Sequence, residues 1–204
     1  MIVVIDYGAG NLRSVLNAAT RLGHEVKVTG LASELATARV AILPGVGAAA
    51  DSMANLQRLG LVSPIRRFIA EGRPFLGVCI GLQLLFSGTE EGGWQECLGI
   101  IPGVVHRLPP GLKIPHMGWN QLRQRVSHPI FSGIPDEANF YFVHSFYAEP
   151  EDMSVVAATT DYGVSICSMV IKDNLIATQF HPEKSGEYGL MMYANFLKMA
   201  LTGR

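Results

Sequence analysis

Pro74-Phe75-Leu76-Gly77-Val78-Cys79-Ile80-Gly81-Leu82-Gln83 runs from a short apolar segment into a second one that continues to Phe86. The pattern predicts a strand over 74–78 and a helix over 80–86. Between them stands a glycine-x-nucleophile-x-glycine arrangement, the form of a nucleophile elbow. Flanking glycines permit a strand-to-helix turn too tight for side chains, and Cys79 is then held at the carboxyl edge of a sheet. A helix N-terminus facing the sulfur carries free N–H groups and about half a positive charge, which favours thiolate over thiol. The Ile80 N–H is also placed to serve an oxyanion. The plainer alternative is a buried cysteine at a glycine-rich strand end.

Upstream of the elbow, strand-like and helix-like segments alternate. Strands are expected at 2–6, 25–28 and 40–43. Helices are expected from Leu12 to Leu22, over 49–59, and over 64–70, where proline suits a first turn. This β-α order predicts a mostly parallel sheet with helices on both faces and ligands at the carboxyl ends of its strands. Downstream, from 98 to 180, segments are shorter and rich in β-branched and aromatic residues, as in 140–146 and 155–159, so antiparallel pairs are expected there. A final amphipathic helix is expected over 188–201. No linker or repeat divides the chain, which reads as one α/β domain spanning 1–204.

Composition narrows the function classes. The chain has 204 residues, 49% of them apolar and 16% charged, with a formal charge of −1. That is enough apolar material for a sizeable core, with no global electrostatic reason to bind nucleic acid or an anionic membrane. No apolar run reaches the ~18 residues of a membrane helix, and the opening MIVVIDYG lacks a basic leader, so a cytoplasmic chain is expected. The 3 cysteines show no CxxC spacing, which argues against a disulfide framework. The histidines lack metal-ligand spacing, so no metal is expected. Gly8-Ala9-Gly10 lacks the third glycine of a dinucleotide loop, and no phosphate loop is present, so no cofactor is expected.

A reactive cysteine needs a base, and His181 stands out among the 6 histidines. It ends the apolar run 175–180 and precedes Pro182 and Glu183. Proline biases the preceding residue to an extended conformation, and residues two apart in an extended segment share a side. Glu183 then lies beside His181 and orients it, completing a nucleophile–base–carboxylate set. A strand exit with an ordinary surface glutamate is the plainer alternative. Pro44-Gly45-Val46-Gly47 follows the third strand. It reads either as a plain turn or as a peptide presenting an N–H to an oxyanion, with glycine making backbone rotation inexpensive.

The elbow GVCIGLQ (77–83) together with the distant FHPE (180–183) resembles the triad-type (class I) glutamine amidotransferases. The strings DYGAGN (6–11), PGVGA (44–48), HMGWN (116–120), YFVHSF (141–146) and QFHPEKSG (179–186) narrow the resemblance. They are similar to those of the glutaminase subunits of imidazole glycerol phosphate synthases. The resemblance covers essentially the whole chain. It implies a flavodoxin-like glutamine amidotransferase fold and hydrolysis of glutamine to glutamate and ammonia. Cys79 would form a thioester, His181 would move protons, and Glu183 would orient His181. Val46 and Ile80 would supply oxyanion N–H groups. Gly47, Gln83, Glu91, His144, Ser145 and Phe146 match positions that hold glutamine, with Phe146 standing where tyrosine is common. The implied partner is a (β/α)8 cyclase in a heterodimer that channels ammonia for histidine biosynthesis. His116, Trp119, Asn120, Tyr141 and Lys184 are expected near the partner face.

Three rivals remain. A cysteine hydrolase of the DJ-1/PfpI type carries histidine directly after the elbow cysteine, where this chain has Ile80. A glutaminase serving another synthase is disfavoured by HMGWN and HPEKSG. A non-catalytic flavodoxin-like module is disfavoured by the intact triad.

Overall fold

The structure, a computed structural model, describes residues 1–202. In the first half, β1 (Ile2–Ile5) leads to α1 (Leu12–Arg21), whose N-terminus is capped by Asn11 accepting from the Ser14 N–H. Next come β2 (Val26–Thr29), α2 (Ala32–Thr37), β3 (Val40–Gly45), α3 (Ala49–Arg58), α4 (Val62–Ala70), β4 (Phe75–Cys79) and α5 (Ile80–Gln83). Strands β1, β3 and β4 are buried along their whole length, as strands covered on both faces must be. Helix α2 was not anticipated; its 6 residues are too few to show a helical period. Arg73 stabilises its end by donating to the Leu35, Ala36 and Ala38 carbonyls.

The second half contains β5 (Phe86–Thr89), β6 (Gln95–Glu96), β7 (Ile101–Arg107), β8 (His116–Gln124), β9 (Ala138–His144), β10 (Phe146–Pro150), β11 (Val156–Asp161), β12 (Ser165–Lys172), β13 (Leu175–Thr178) and α6 (Gly186–Thr202). The strands of both halves form one 13-stranded sheet whose main path is β2-β1-β3-β4-β13-β12-β10-β7-β5-β6, with β11, β8 and β9 branching from β12. The run from β2 to β13 is parallel. The other pairs are antiparallel apart from β5 with β7, which is parallel. The fold is thus the α/β architecture expected, with helices packed on a parallel core of β2-β1-β3-β4-β13 and antiparallel strands added.

Two expectations at the site change. The helix expected over 80–86 stops at Gln83. The Leu84 carbonyl is taken by the Leu98 N–H and the Leu85 carbonyl by the Ile100 and Ile101 N–H groups, so the chain turns into β5. Tertiary hydrogen bonds override a local apolar pattern there. The stretch 140–146 is also two strands rather than one, with the ladder broken at Ser145.

The parallel core sets the site. Register pairs Gly45 with Cys79 and Thr178 with Val78, so β3, β4 and β13 end together at one edge. Helix α6 packs closely on the turn Pro182–Lys184, because a Cβ at Gly189 would collide with the Pro182 carbonyl. The elbow glycines serve the same purpose. A Cβ at Gly81 would collide with the Leu43 carbonyl, and one at Gly77 would lie 2.8 Å from the Gly81 oxygen. Gly81→Ala is therefore expected to cost about 1–3 kcal/mol through forced backbone displacement. Urea unfolding should show a lower midpoint with unchanged slope; an unchanged midpoint would contradict this packing.

Candidate functional site

Cys79 ends β4 at φ 55°, ψ −105°, a region L-residues avoid. Such a conformation costs about 1–3 kcal/mol and persists only where the surroundings enforce it. Here the enforcing contacts are the ladder to β3 and the return of Gly81 onto Leu43. Helix α5 spans only 4 residues, so a long helix dipole is not what faces the sulfur. The polar contacts of Sγ are the Val143 carbonyl at 3.9 Å and the Gln179 side-chain amide at 3.8 Å.

His181 and Glu183 leave β13 together. Their backbone is clamped, since the His181 N–H donates to the Tyr141 carbonyl at 2.9 Å and the Ser185 hydroxyl donates to the His181 carbonyl at 2.6 Å. The imidazole Nδ1 lies 2.7 Å from Glu183 Oε1, and both side chains are 2% exposed. That bond leaves Nε2 with no hydrogen-bond partner of its own, on the ring that lines the Cys79 cavity. Burial alone would lower the basicity of His181. The sulfur of Cys79 and the Glu183 carboxylate outweigh it and raise it. His181 is therefore driven toward the imidazolium form beside the sulfur.

A cavity of about 430 Å³ opens over Cys79. Its lining includes Val46, Gly47, Ile80, Gln83, Glu91, His144, Ser145, Phe146 and His181, so the expected substrate and oxyanion positions share one space. Glu91 Oε2 accepts the Ala49 N–H at 2.7 Å, giving α3 the N-terminal cap that Ala48 cannot provide. Gln83 Nε2 donates to the Phe146 carbonyl at 2.9 Å and to Gln179 Oε1 at 3.1 Å. The Pro44–Gly47 segment differs from a plain turn. Pro44 and Gly45 extend β3, and a Cβ at Gly45 would lie 2.5 Å from the Tyr7 hydroxyl. Backbone freedom sits one step later, at exposed Val46 and at Gly47, whose φ is +93° and where a Cβ would meet nothing within 4 Å.

The candidate partner-face residues divide. Trp119 is 58% exposed and pairs across the ladder with Tyr141, whose ring lies 5.9 Å from Lys184 Nζ. Met117 and Val143 pair on the same side, so this face adjoins the cavity mouth, which Lys184 and Val143 also line. His116 and Asn120 point to the opposite side of β8, and His116 is buried at 3% exposure. Strand alternation, invisible while 116–120 read only as a string, causes the split.

Gln179, Val143, Pro115 and Ser185 belong to the site without having been singled out. Gln179 left a usable signal, a polar residue inside the apolar run before His181. Val143 contributes only its carbonyl and Ser185 only a clamp, which residue type alone does not disclose. Among the described residues, no set of three His, Cys, Asp or Glu side chains is placed to hold a metal, and no helix is long and apolar enough to cross a membrane.

A family model described as glutamine amidotransferase class-I matches residues 3–200. A protein from Dehalococcoides mccartyi named imidazole glycerol phosphate synthase subunit HisH is 61% identical over 201 residues, covering 98% of each chain. Proteins of the same name from Chloroflexus aurantiacus and Moorella thermoacetica are 50% and 52% identical, covering 97% and 96% of this chain and 95% and 93% of theirs. A crystal structure of a glutamine amidotransferase superposes with a TM-score of 0.78 at 21% identity, covering 99% of this chain and 100% of that one. PurLQS from Thermotoga maritima gives 0.77 at 21%, covering 97% of each. At that identity the structural likeness concerns the fold.

The site predicts selective alkylation. Burial pushes Cys97 up to about 11, helped by Glu91, and pushes Cys167 up to about 12 against a partial offset from the Met169 backbone. Both remain protonated near pH 8 and should react slowly. Limited iodoacetamide treatment followed by peptide mass spectrometry should modify Cys79 first, and His181→Ala should slow that step. Even labelling of all three cysteines would contradict the arrangement.

Proposed function

The chain belongs to the class I glutamine amidotransferase family, and from that premise we propose that it acts as the glutaminase subunit of imidazole glycerol phosphate synthase, in histidine biosynthesis. One observation carries the reading: a strained Cys79 shares a cavity with a His181 whose outer nitrogen is held by Glu183 at 2.7 Å.

In this reading the Cys79 thiolate attacks the carboxamide carbon of glutamine. The carbonyl electron pair moves onto oxygen, where the N–H groups of Val46 and Ile80 stabilise it. His181, protonated through its partners, gives its proton to the departing nitrogen. The C–N bond breaks, ammonia leaves, and a γ-glutamyl thioester remains on Cys79. Water then attacks the thioester while His181 takes its proton, and glutamate is released with the thiolate restored. Glu183 fixes the tautomer throughout, with its charge stabilising the imidazolium. Gly47, Gln83, Glu91, His144, Ser145 and Phe146 hold the substrate. No cofactor is required.

The partner is a (β/α)8 cyclase forming a heterodimer, which uses the ammonia on a phosphorylated ribulosyl nucleotide in the cytoplasm. Exposed Met117 and Trp119 with Tyr141 and Lys184 support a docking face there, because they share a face with Val143, which lines the cavity together with Lys184. Docking at that mouth also offers control. The Gly45–Val46 peptide must aim its N–H into the cavity, and a missing oxyanion donor lowers turnover by roughly 10²–10³.

Three measurements test the reading. Cys79→Ala should abolish glutamine-dependent product formation in the complex and leave ammonium-dependent formation intact. His181→Ala should lose more turnover than Glu183→Ala, because the base moves protons while the carboxylate orients it. Glutamate formation should rise by about 10² or more from the isolated chain to the complex with its nucleotide ligand. Equal rates in both states would remove the control, and glutamine hydrolysis surviving in Cys79→Ala would remove the nucleophile.

A further inference from the structure

His116 is turned inward, between the rings of Tyr162 and Phe142, with centroids 3.9 and 4.8 Å away. Its Nδ1 lies 2.9 Å from His144 Nε2, and His144 Nδ1 lies 2.9 Å from the Phe146 carbonyl oxygen. A carbonyl only accepts, so His144 carries its hydrogen on Nδ1 and accepts at Nε2. His116 must then donate from Nδ1 and accept at its own Nε2. Asn120 Nδ2 lies 3.2 Å from that atom. The amide orientation is fixed as well, since Asn120 Oδ1 accepts the Gln121 N–H at 2.8 Å and Nδ2 reaches the Asp161 carbonyl at 3.0 Å. The chain Asn120 → His116 → His144 → Phe146 thus has one proton arrangement, and every member is neutral.

Burial holds both rings in that neutral form. It pulls His116 down to about 4. It pulls His144 down to about 3 against the Phe146 carbonyl, with the neighbouring His116 and His181 acting in the same direction. A packing role alone would not need these nitrogens. A phenyl ring would fill the space between Tyr162 and Phe142 and require no partner.

The end of the chain gives the nitrogens their purpose. The Phe146 carbonyl also accepts from Gln83 Nε2, and Gln83, His144, Ser145 and Phe146 all line the cavity over Cys79. Strand β9 ends at His144 and β10 begins at Phe146, with Ser145 between them, whose carbonyl is held by the Leu108 N–H at 2.9 Å. Backbone ladders hold His144 against His116 and Phe146 against Arg107, and the side-chain bonds of His144 and Gln83 to the Phe146 carbonyl add a second, directional hold on the 144–146 turn. We propose that His116 is a positioning residue for glutamine binding, acting through His144 to fix the 144–146 wall of the cavity and tying that wall to Asn120 on β8. This inference rests on the glutaminase reading.

Two experiments on the complex with its cyclase test it. Nitrogen-15 NMR of histidine-labelled protein at pH 7 should find His116 and His144 both as the less common Nδ1–H tautomer; an Nε2–H tautomer at either overturns the chain. In steady-state kinetics, His116→Phe leaves a buried acceptor unpaired and should raise KM for glutamine about tenfold. Its kcat should stay within about twofold, and ammonium-dependent turnover should not change. His116→Asn places an amide N–H where Nδ1 stood and should recover most of the loss. An unchanged KM in His116→Phe, a loss carried by kcat, or no recovery in His116→Asn overturns the proposal. A wild-type complex that releases no glutamate overturns the glutaminase reading instead, and the tautomers still decide the His116 chain.

Discussion

The backbone of Cys79 is the constraint around which the molecule is arranged. An L-residue stays at φ 55° only if leaving that conformation breaks more than it relieves. The ladder to Gly45 holds one side, and the return of Gly81 against Leu43 holds the other. Both depend on glycine at positions where a methyl group has no room. The gain is direction: the sulfur points out of the sheet edge into the cavity instead of into the core.

The second demand is to keep buried polar groups satisfied around that sulfur. Gln179 is fully buried, yet its amide oxygen accepts from Gln83 and its nitrogen approaches the sulfur. Gln83 in turn reaches the Phe146 carbonyl, which His144 also holds. Ser185 links the β9 and β13 sides, accepting from the Tyr141 N–H and donating to the His181 carbonyl. The elbow, the His181 turn and the cavity wall are therefore one connected network. A network of this kind specifies geometry better than apolar packing does, because each bond has a direction.

The histidines show how environment divides a single residue type. His181 faces a carboxylate and a thiol and is driven toward its charged form. His144 lies in the same cavity but meets a carbonyl and another neutral imidazole, and it is driven to the neutral form. Two imidazoles thus hold opposite charge states at one pH, one suited to proton transfer and the other to fixing position.

The sequence alone determined the parallel core, the elbow at Cys79 and the His181–Glu183 spacing. These are local: apolar runs of strand length, glycines flanking a nucleophile, and residues two apart beside a proline all act within a few residues. Everything that depended on meeting a distant segment was left to the tertiary structure. The helix after Cys79 was cut to 4 residues by hydrogen bonds from 98–101. The 140–146 strand was broken at Ser145 because its two parts pair with different strands, β8 and β7. HMGWN was legible as a unit, yet β8 sends Trp119 to the surface and His116 to the interior. Which side faces solvent is set by what packs against the sheet, and that packing comes from residues far along the chain.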